Sequence, residues 1–171
     1  LAKMNALVCP QIIRSLYRAS QCGVRIHLIV RGICCLRPGI EGVSHNIRVT
    51  SVVDRFLEHS RVFAFGSGDR REVFLASADW MPRNFSRRVE IMVPAADAVA
   101  RARLLTEVLG ASANDSAKSS QLNVDGSYSS VVSADTPFRS QTALMETAKR
   151  LELSREGGPI IRHAAAPVIV S

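Results

Sequence analysis

Phe56-Leu57-Glu58-His59-Ser60-Arg61 runs directly into the apolar Val62-Phe63-Ala64-Phe65. A short turn later, Val73-Phe74-Leu75-Ala76-Ser77-Ala78 runs into Asp79-Trp80-Met81-Pro82-Arg83-Asn84. Each segment joins an apolar, strand-forming run to polar side chains at one end. Pairing the two strands would put His59, Arg61, Ser77, Asp79 and Asn84 near one rim of a sheet, where an α/β fold usually keeps its chemistry. The residue types at that rim suit phosphate. An imidazole can exchange a proton or accept a phosphoryl group near neutral pH, and a guanidinium fork holds phosphate oxygens.

Outward from this hairpin the chain reads as alternating helix and strand. Residues 10–21 predict a helix, with Pro10 in the first turn, an apolar stripe of Ile12, Ile13, Leu16 and Tyr17, and Gly23 as the stop. Strands are expected over residues 24–30, 47–53, 61–65, 73–78 and 89–93, the last stopped by Pro94, with a turn at Gly66-Ser67-Gly68-Asp69. Residues 96–109 form an amphipathic pattern ended by Gly110. Residues 111–120 are small and polar and read as a flexible connection. Asp125-Gly126 marks a hairpin turn within residues 121–132. Residues 137–151 return to helix, and residues 156–171 read as a mobile tail. The division expected is a core over residues 1–110, a connection with short strands and a helix over residues 111–155, and the tail.

A chain of 171 residues with 47% hydrophobic content suits one domain with a real core. Its formal charge of +7 favours an anionic partner such as a nucleotide, polyphosphate, nucleic acid or acidic lipid, although much of such charge is often only a solvated surface. Cys9, Cys22, Cys34 and Cys35 lack zinc spacing and read as reduced thiols. The sequence shows no signal peptide and no apolar run long enough to cross a membrane. A start at Leu1, directly in motif-like sequence, reads as a piece of a longer protein.

His59 taken alone would more often be a packed or capping residue. Arg61, Ser77 and Asn84 around it reverse that preference. Arg31 ends an apolar strand and precedes Gly32. It must reach solvent, a ligand or a carboxylate, and Glu58, Glu90 and Asp79 are the carboxylates to consider. Arg37 lies in a loop before Pro38 and reads as a surface residue. Ser77, Asp79, Arg83, Asn84 and Glu90 would surround the site, with turn chemistry or pairing to Arg87 and Arg88 as the plainer alternative. His27, inside an apolar strand, reads as structural. Neither His45 nor His163 shares metal-ligand spacing with another histidine or cysteine, and no glycine-rich nucleotide loop precedes a helix.

Ile29-Val30-Arg31-Gly32-Ile33-Cys34-Cys35-Leu36-Arg37-Pro38-Gly39, the segment Phe56 to Arg61, and Ser77 to Asn84 with Arg87-Arg88-Val89-Glu90 together carry a resemblance. In that order they resemble the last domain of the bacterial polyphosphate kinases that work through a phosphohistidine, one of two domains related to phospholipase D. The likeness runs from Lys3-Met4-Asn5 to about Leu105, with an echo at Gln141-Thr142-Ala143-Leu144-Met145. It implies an α/β, phospholipase D-like fold with a mixed β-sheet flanked by helices. It further implies reversible transfer of the terminal phosphate of ATP to inorganic polyphosphate with release of ADP.

The same resemblance makes Arg31 and Arg61 phosphate ligands. It places His59 near the ATP phosphates, as a catalytic acid, base or phosphate-positioning group. The phosphorylated histidine belongs to a preceding domain, so this chain alone is expected to fold without catalysing. Magnesium is expected as cofactor with its ligands outside this chain, so no metal ligands are assigned here. A cytoplasmic, homo-oligomeric enzyme, with peripheral membrane attachment as an option and no nucleic-acid partner, completes the expectation. Two rivals are a phospholipase D-class phosphodiesterase acting as a dimer and a non-enzymatic polyanion-binding module. Arg61 in place of lysine, and Gly66 where the phospholipase D signature has aspartate, count against the first.

Overall fold

An eight-stranded mixed sheet of order β6-β5-β4-β1-β2-β3-β7-β8 organises the chain. The computed structural model describes residues 1–131 and 136–153. The expected tail over residues 156–171, with His163, lies outside the described residues. Strand β1 (Ala2–Met4) sits at the centre, parallel to β2 (Ile26–Val30) and antiparallel to β4 (Val62–Phe65). On one side, β3 (Ile47–Val52) runs parallel to β2, and the hairpin of β7 (Ser119–Leu122) and β8 (Tyr128–Ser130) follows antiparallel. On the other, β5 (Glu72–Ala76) and β6 (Met92–Pro94) add antiparallel strands. β6 falls later than the pattern of residues 89–93 predicts and includes Pro94. Proline is acceptable there because β6 is the sheet edge.

The sheet's two faces follow from strand alternation. Ala2, Met4, Leu28, Val30, Val49 and Phe63 face α1 (Pro10–Gln21), whose stripe of Ile12, Ile13, Leu16 and Tyr17 covers them. Trp80 joins this core with its ring 5.0 Å from that of Phe63. On the opposite face Val62, Ala64 and Val73 meet Leu104, Leu105, Val108 and the fully buried Leu109. These leucines lie on one long helix assembled from α3 (Ala98–Arg103), a π-helical stretch (Leu104–Gly110) and α4 (Ala111–Ala113). Asp97 caps its start by accepting the Ala100 N–H.

Gly110 therefore does not end this helix, contrary to the sequence pattern, and residues 111–113 are helical where a flexible connection was expected. The wider π turn brings backbone close: a Cβ at Gly110 would stand 3.0 Å from the Leu105 carbonyl oxygen. The glycine admits the turn instead of breaking the helix. The continuation buries Ser112 beneath the sheet, and Asp115 is buried directly after it. Two further α-helices and a 3-10 turn (Gly68–Arg70) complete the described fold. The helices are α2 (Pro82–Ser86) and α5 (Ser140–Leu153).

Truncating Leu109, which is fully buried, should cost about 2–5 kcal/mol, because a cavity replaces its packing. Leu57, 65% exposed, should change stability by less than about 0.5 kcal/mol when truncated. Urea denaturation of Leu109→Ala and Leu57→Ala checks the contrast.

Candidate functional site

The chain turns around at β1. From β1 it passes to β2 and β3 on one side, then residues 53–61 return across the sheet edge to β4 on the other. The carboxyl ends of β1, β2 and β3, the start of β4 and the end of β5 all meet this edge. A topological switch point of this kind is where open α/β sheets bind ligands. Asn5, Arg31, Arg61 and Ser77 extend from those strand ends, and His59 rides on the returning loop.

Asp79 holds the edge together. Its Oδ1 accepts the backbone N–H groups of Asn5 at 2.7 Å and Ala6 at 3.3 Å. Its Oδ2 accepts Arg61 Nη2 at 3.0 Å. Burial pushes the Asp79 carboxyl up, but the Arg61 guanidinium and the Asn5 and Ala6 amides together outweigh it and hold the group below its usual range. The network then continues both ways. Asn5 Oδ1 accepts Arg31 Nε at 3.0 Å, and Arg61 Nη1 donates to the His59 carbonyl at 3.2 Å. One carboxylate thus sets the places of both Arg31 and the His59 backbone. Gly32 permits the close fit beside it, because a Cβ there would lie 2.9 Å from the Asn5 carbonyl oxygen.

A second buried ion pair lies below. Lys3, only 6% exposed, donates to Glu58 and to Ser112 Oγ at 2.6 Å. A lysine this deep requires such a partner set, since an uncompensated buried ammonium is strongly disfavoured. Glu58 is the residue before His59, so the pair anchors the loop from beneath. Lys3, Asn5, Arg31, Glu58 and Ser60 line a single small hollow. Arg31 and the residues flanking His59 therefore share one surface.

None of the three carboxylates considered for Arg31 pairs with it: Glu58 is on Lys3, Asp79 on Arg61, and Glu90 on Ser77 and Asn84. Hydrogen bonds from Ser77 first, and then from Asn84, lower the Glu90 pKa. The terminal nitrogens of Arg31 and the imidazole of exposed His59 make no hydrogen bond to the described residues. Arg61 is more engaged than its sequence position indicates. Two of its nitrogens hold protein oxygens, while its Nε and the side-chain nitrogen of Asn5 are buried donors, and Asn84 Oδ1 a buried acceptor, without a partner among the described residues. His27 is structural. Its Nε2 lies 2.9 Å from Thr50 Oγ1, and burial, then Arg48, depresses its pKa to about 4.

Sequence reasoning did not single out Lys3 or Gln141 as parts of the site. Lys3 appears there only as part of Lys3-Met4-Asn5, and the three-residue β1 is too short and too polar to announce a strand. Gln141 carries no charge that would draw notice, and its partners lie far away in sequence.

An α/β domain with a basic, hydrogen-bonded edge at its switch point is what these observations define, and its fold is of the phospholipase D-like kind. Residues 1–141 match the family described as polyphosphate kinase C-terminal domain 2. A polyphosphate kinase of Rhodopirellula baltica is 56% identical over 128 residues, covering 75% of this chain and 15% of the relative. One from Prosthecochloris aestuarii is 51% identical over 146 residues, covering 85% and 20%. The crystal structure of polyphosphate kinase from Porphyromonas gingivalis superposes with a TM-score of 0.83 at 41% identity, covering 90% of this chain and 24% of that one. The chain belongs to the polyphosphate kinase family, and it spans about a fifth or less of the length of these two curated relatives.

Removing the Asp79 charge should leave Arg61 half-buried without its counterion. Asp79→Asn should lose about 2–3 kcal/mol at neutral pH, discounted for the partial exposure of the pair. Because the folded pKa is depressed, this contribution is complete above the ordinary aspartate value of about 3.9 and is lost as pH falls through the folded value. Urea denaturation across pH should show the gap between wild type and Asp79→Asn closing in acid. A gap independent of pH would deny the charge its role.

Proposed function

We propose that this chain forms one wall of the nucleotide and polyphosphate site of a polyphosphate kinase. The complete enzyme would transfer the terminal phosphate of ATP reversibly to polyphosphate and release ADP. The observation that carries the proposal is that the terminal nitrogens of Arg31, held at the switch point through Nε by Asn5, make no hydrogen bond to the described residues. Arg31 forms no ion pair with a carboxylate among the described residues, and Glu58 and Ser60, on either side of His59, border the same small hollow as Arg31. Donors on Asn5 and Arg61 that are unpaired among the described residues lie at the same edge and also favour an anion.

The side chains suit distinct tasks. Arg31 is oriented through Nε by Asn5, which leaves its terminal nitrogens to grip phosphate oxygens as a fork. Arg61 holds the loop and adds positive potential beneath it. His59, exposed at the edge, donates a hydrogen bond or a proton to oxygens of the transferring phosphate. Phosphoryl transfer breaks the bond from the terminal phosphorus to its bridging oxygen and forms one to the acceptor. Positioning and charge account for most of its catalysis. In this reading the phosphorylated nucleophile is a histidine of a preceding domain, and the enzyme is a cytoplasmic homo-oligomer, with peripheral membrane attachment as an option.

Magnesium belongs to the proposal as a cofactor that other parts of the enzyme bind. The residues here do not fit it. Glu58, Asp79 and Glu90 are held by Lys3, Arg61 and the Ser77–Asn84 pair, and among the described residues no three His, Cys, Asp or Glu side chains converge. Among the described residues no helix is long and apolar enough to cross a membrane. The phosphodiesterase reading is weaker because Arg61 and Gly66 stand where the phospholipase D signature has lysine and aspartate.

In the longer enzyme, His59→Ala should cut turnover by roughly 10²–10⁴-fold, the range of a lost general acid or base. The phosphohistidine on the other domain should still form, detected as an acid-labile label from radioactive ATP. His59→Gln should rescue little if His59 moves a proton, and more if it only positions phosphate. Wild-type turnover in both variants would make His59 structural.

A further inference from the structure

The loop over residues 53–61 crosses from β3 to β4 over the ends of β2 and β1, about 14 Å at three strand spacings of about 4.8 Å. Nine extended residues could reach roughly 30 Å. The loop therefore has slack, and the crossing does not itself decide where His59 stands.

Pins at alternate residues decide it. Asp54 takes a two-pronged ion pair from Arg139, at 2.8 and 2.6 Å. Phe56 is held through its backbone on both sides. Its N–H donates to Gln141 Oε1 and its carbonyl accepts Gln141 Nε2, each at 2.9 Å. Glu58 accepts from the same Gln141 Nε2 at 2.9 Å, and from Lys3. The intervening Arg55, Leu57 and His59 are exposed. Phe56 is also exposed, its ring beside the Arg55 guanidinium at 5.2 Å, so Gln141 grips its backbone and not its side chain, and the three pins together fix the register of the loop, that is, where each residue stands along the crossing.

Gln141 is the key to that register. It is only 5% exposed, and its amide reproduces the paired donor and acceptor of a neighbouring strand. Its own place is fixed by the residue before it. Ser140 donates its N–H and hydroxyl to the buried Asp115 carboxylate, each at 2.7 Å. We infer that Gln141, at the start of α5, is a positioning residue for His59: it fixes the register of the loop so that His59 stands at the phosphate site. The inference rests on the functional reading above for its purpose, but the geometry it claims can be tested without catalysis.

The test uses this chain, labelled for NMR, as wild type, Gln141→Ala and Gln141→Glu. In Gln141→Ala the Phe56 amide should exchange with solvent about tenfold faster, and the His59 ring signals should shift or broaden. The Ser140 amide and the α5 amides should keep their protection, because Asp115 still holds the helix start. Gln141→Glu supplies an acceptor for the Phe56 N–H but repels Glu58. Its disturbance of His59 should therefore be largest near neutral pH and ease as the new carboxyl protonates. Unchanged Phe56 and His59 signals in Gln141→Ala would overturn the inference. So would a uniform loss of protection across α5 and the sheet, which would make Gln141 merely structural. A displaced loop in an enzyme whose turnover ignores His59→Ala would sink the functional reading and leave the latch standing.

Discussion

A buried carboxylate at the centre of a sheet edge must be satisfied, and the way Asp79 is satisfied determines the rest of the site. Two backbone amides at the end of β1 and one guanidinium at the start of β4 supply its hydrogen bonds. These partners belong to strands that are neighbours in the sheet but distant in sequence. Through Asn5 the constraint reaches Arg31, and through Arg61 it reaches the His59 backbone. Arg31 and His59 are held in place without a carboxylate partner among the described residues, whereas Arg61 is paired with Asp79 and acts as the anchor. An arginine neutralised by its own carboxylate would have to break that pair before gripping a ligand, at a cost set by desolvation.

The lower tier works by the same logic from the other face. Lys3 alternates with Ala2 and Met4, so it points away from the α1 core toward the long helix. The helix reaches it only because it continues through Gly110 to Ser112. Glu58 completes the set and draws the loop down. The start of α5 and the residue before it hold the loop from outside, Arg139 on Asp54 and Gln141 on Phe56, while Ser140 is fixed on Asp115. Sheet, long helix and α5 thus converge on residues 54–59. The π turn and the α5 start, which look like features of stability, are also features of the site.

Much of this was legible in the sequence because it is local. The helix at Pro10–Gln21, the pairing of β4 with β5, and the hairpin at Asp125-Gly126 follow from periodicity and turn chemistry within short windows. The position of Arg31 at a strand tip is equally local. The central strand β1 was not legible, since three residues including a lysine show no alternation that a window could detect. Its existence is imposed by neighbours on both sides. Gly110 misled because glycine after an amphipathic run commonly ends a helix, and only the close approach of the Leu105 carbonyl explains its presence inside one. The ion pair of Arg61 was not legible, because its partner, Asp79, is a neighbour only through pairing of the strands.

The central claim is that the anion sits at the switch point, against Arg31 and His59, and not on basic residues elsewhere. The lower end of the sheet offers a real competitor. A cleft of about 930 Å³ there is lined by Arg25, Arg48 and Arg71 among others. The direct measurement is a ¹H–¹⁵N NMR titration of this chain with tripolyphosphate, following arginine side chains, the Asn5 amide group and the histidine rings. The account predicts that the Arg31, Asn5 and His59 signals move together along one saturating curve that weakens with salt. Shifts confined to Arg25, Arg48 and Arg71, with Arg31 and His59 unmoved, would contradict it.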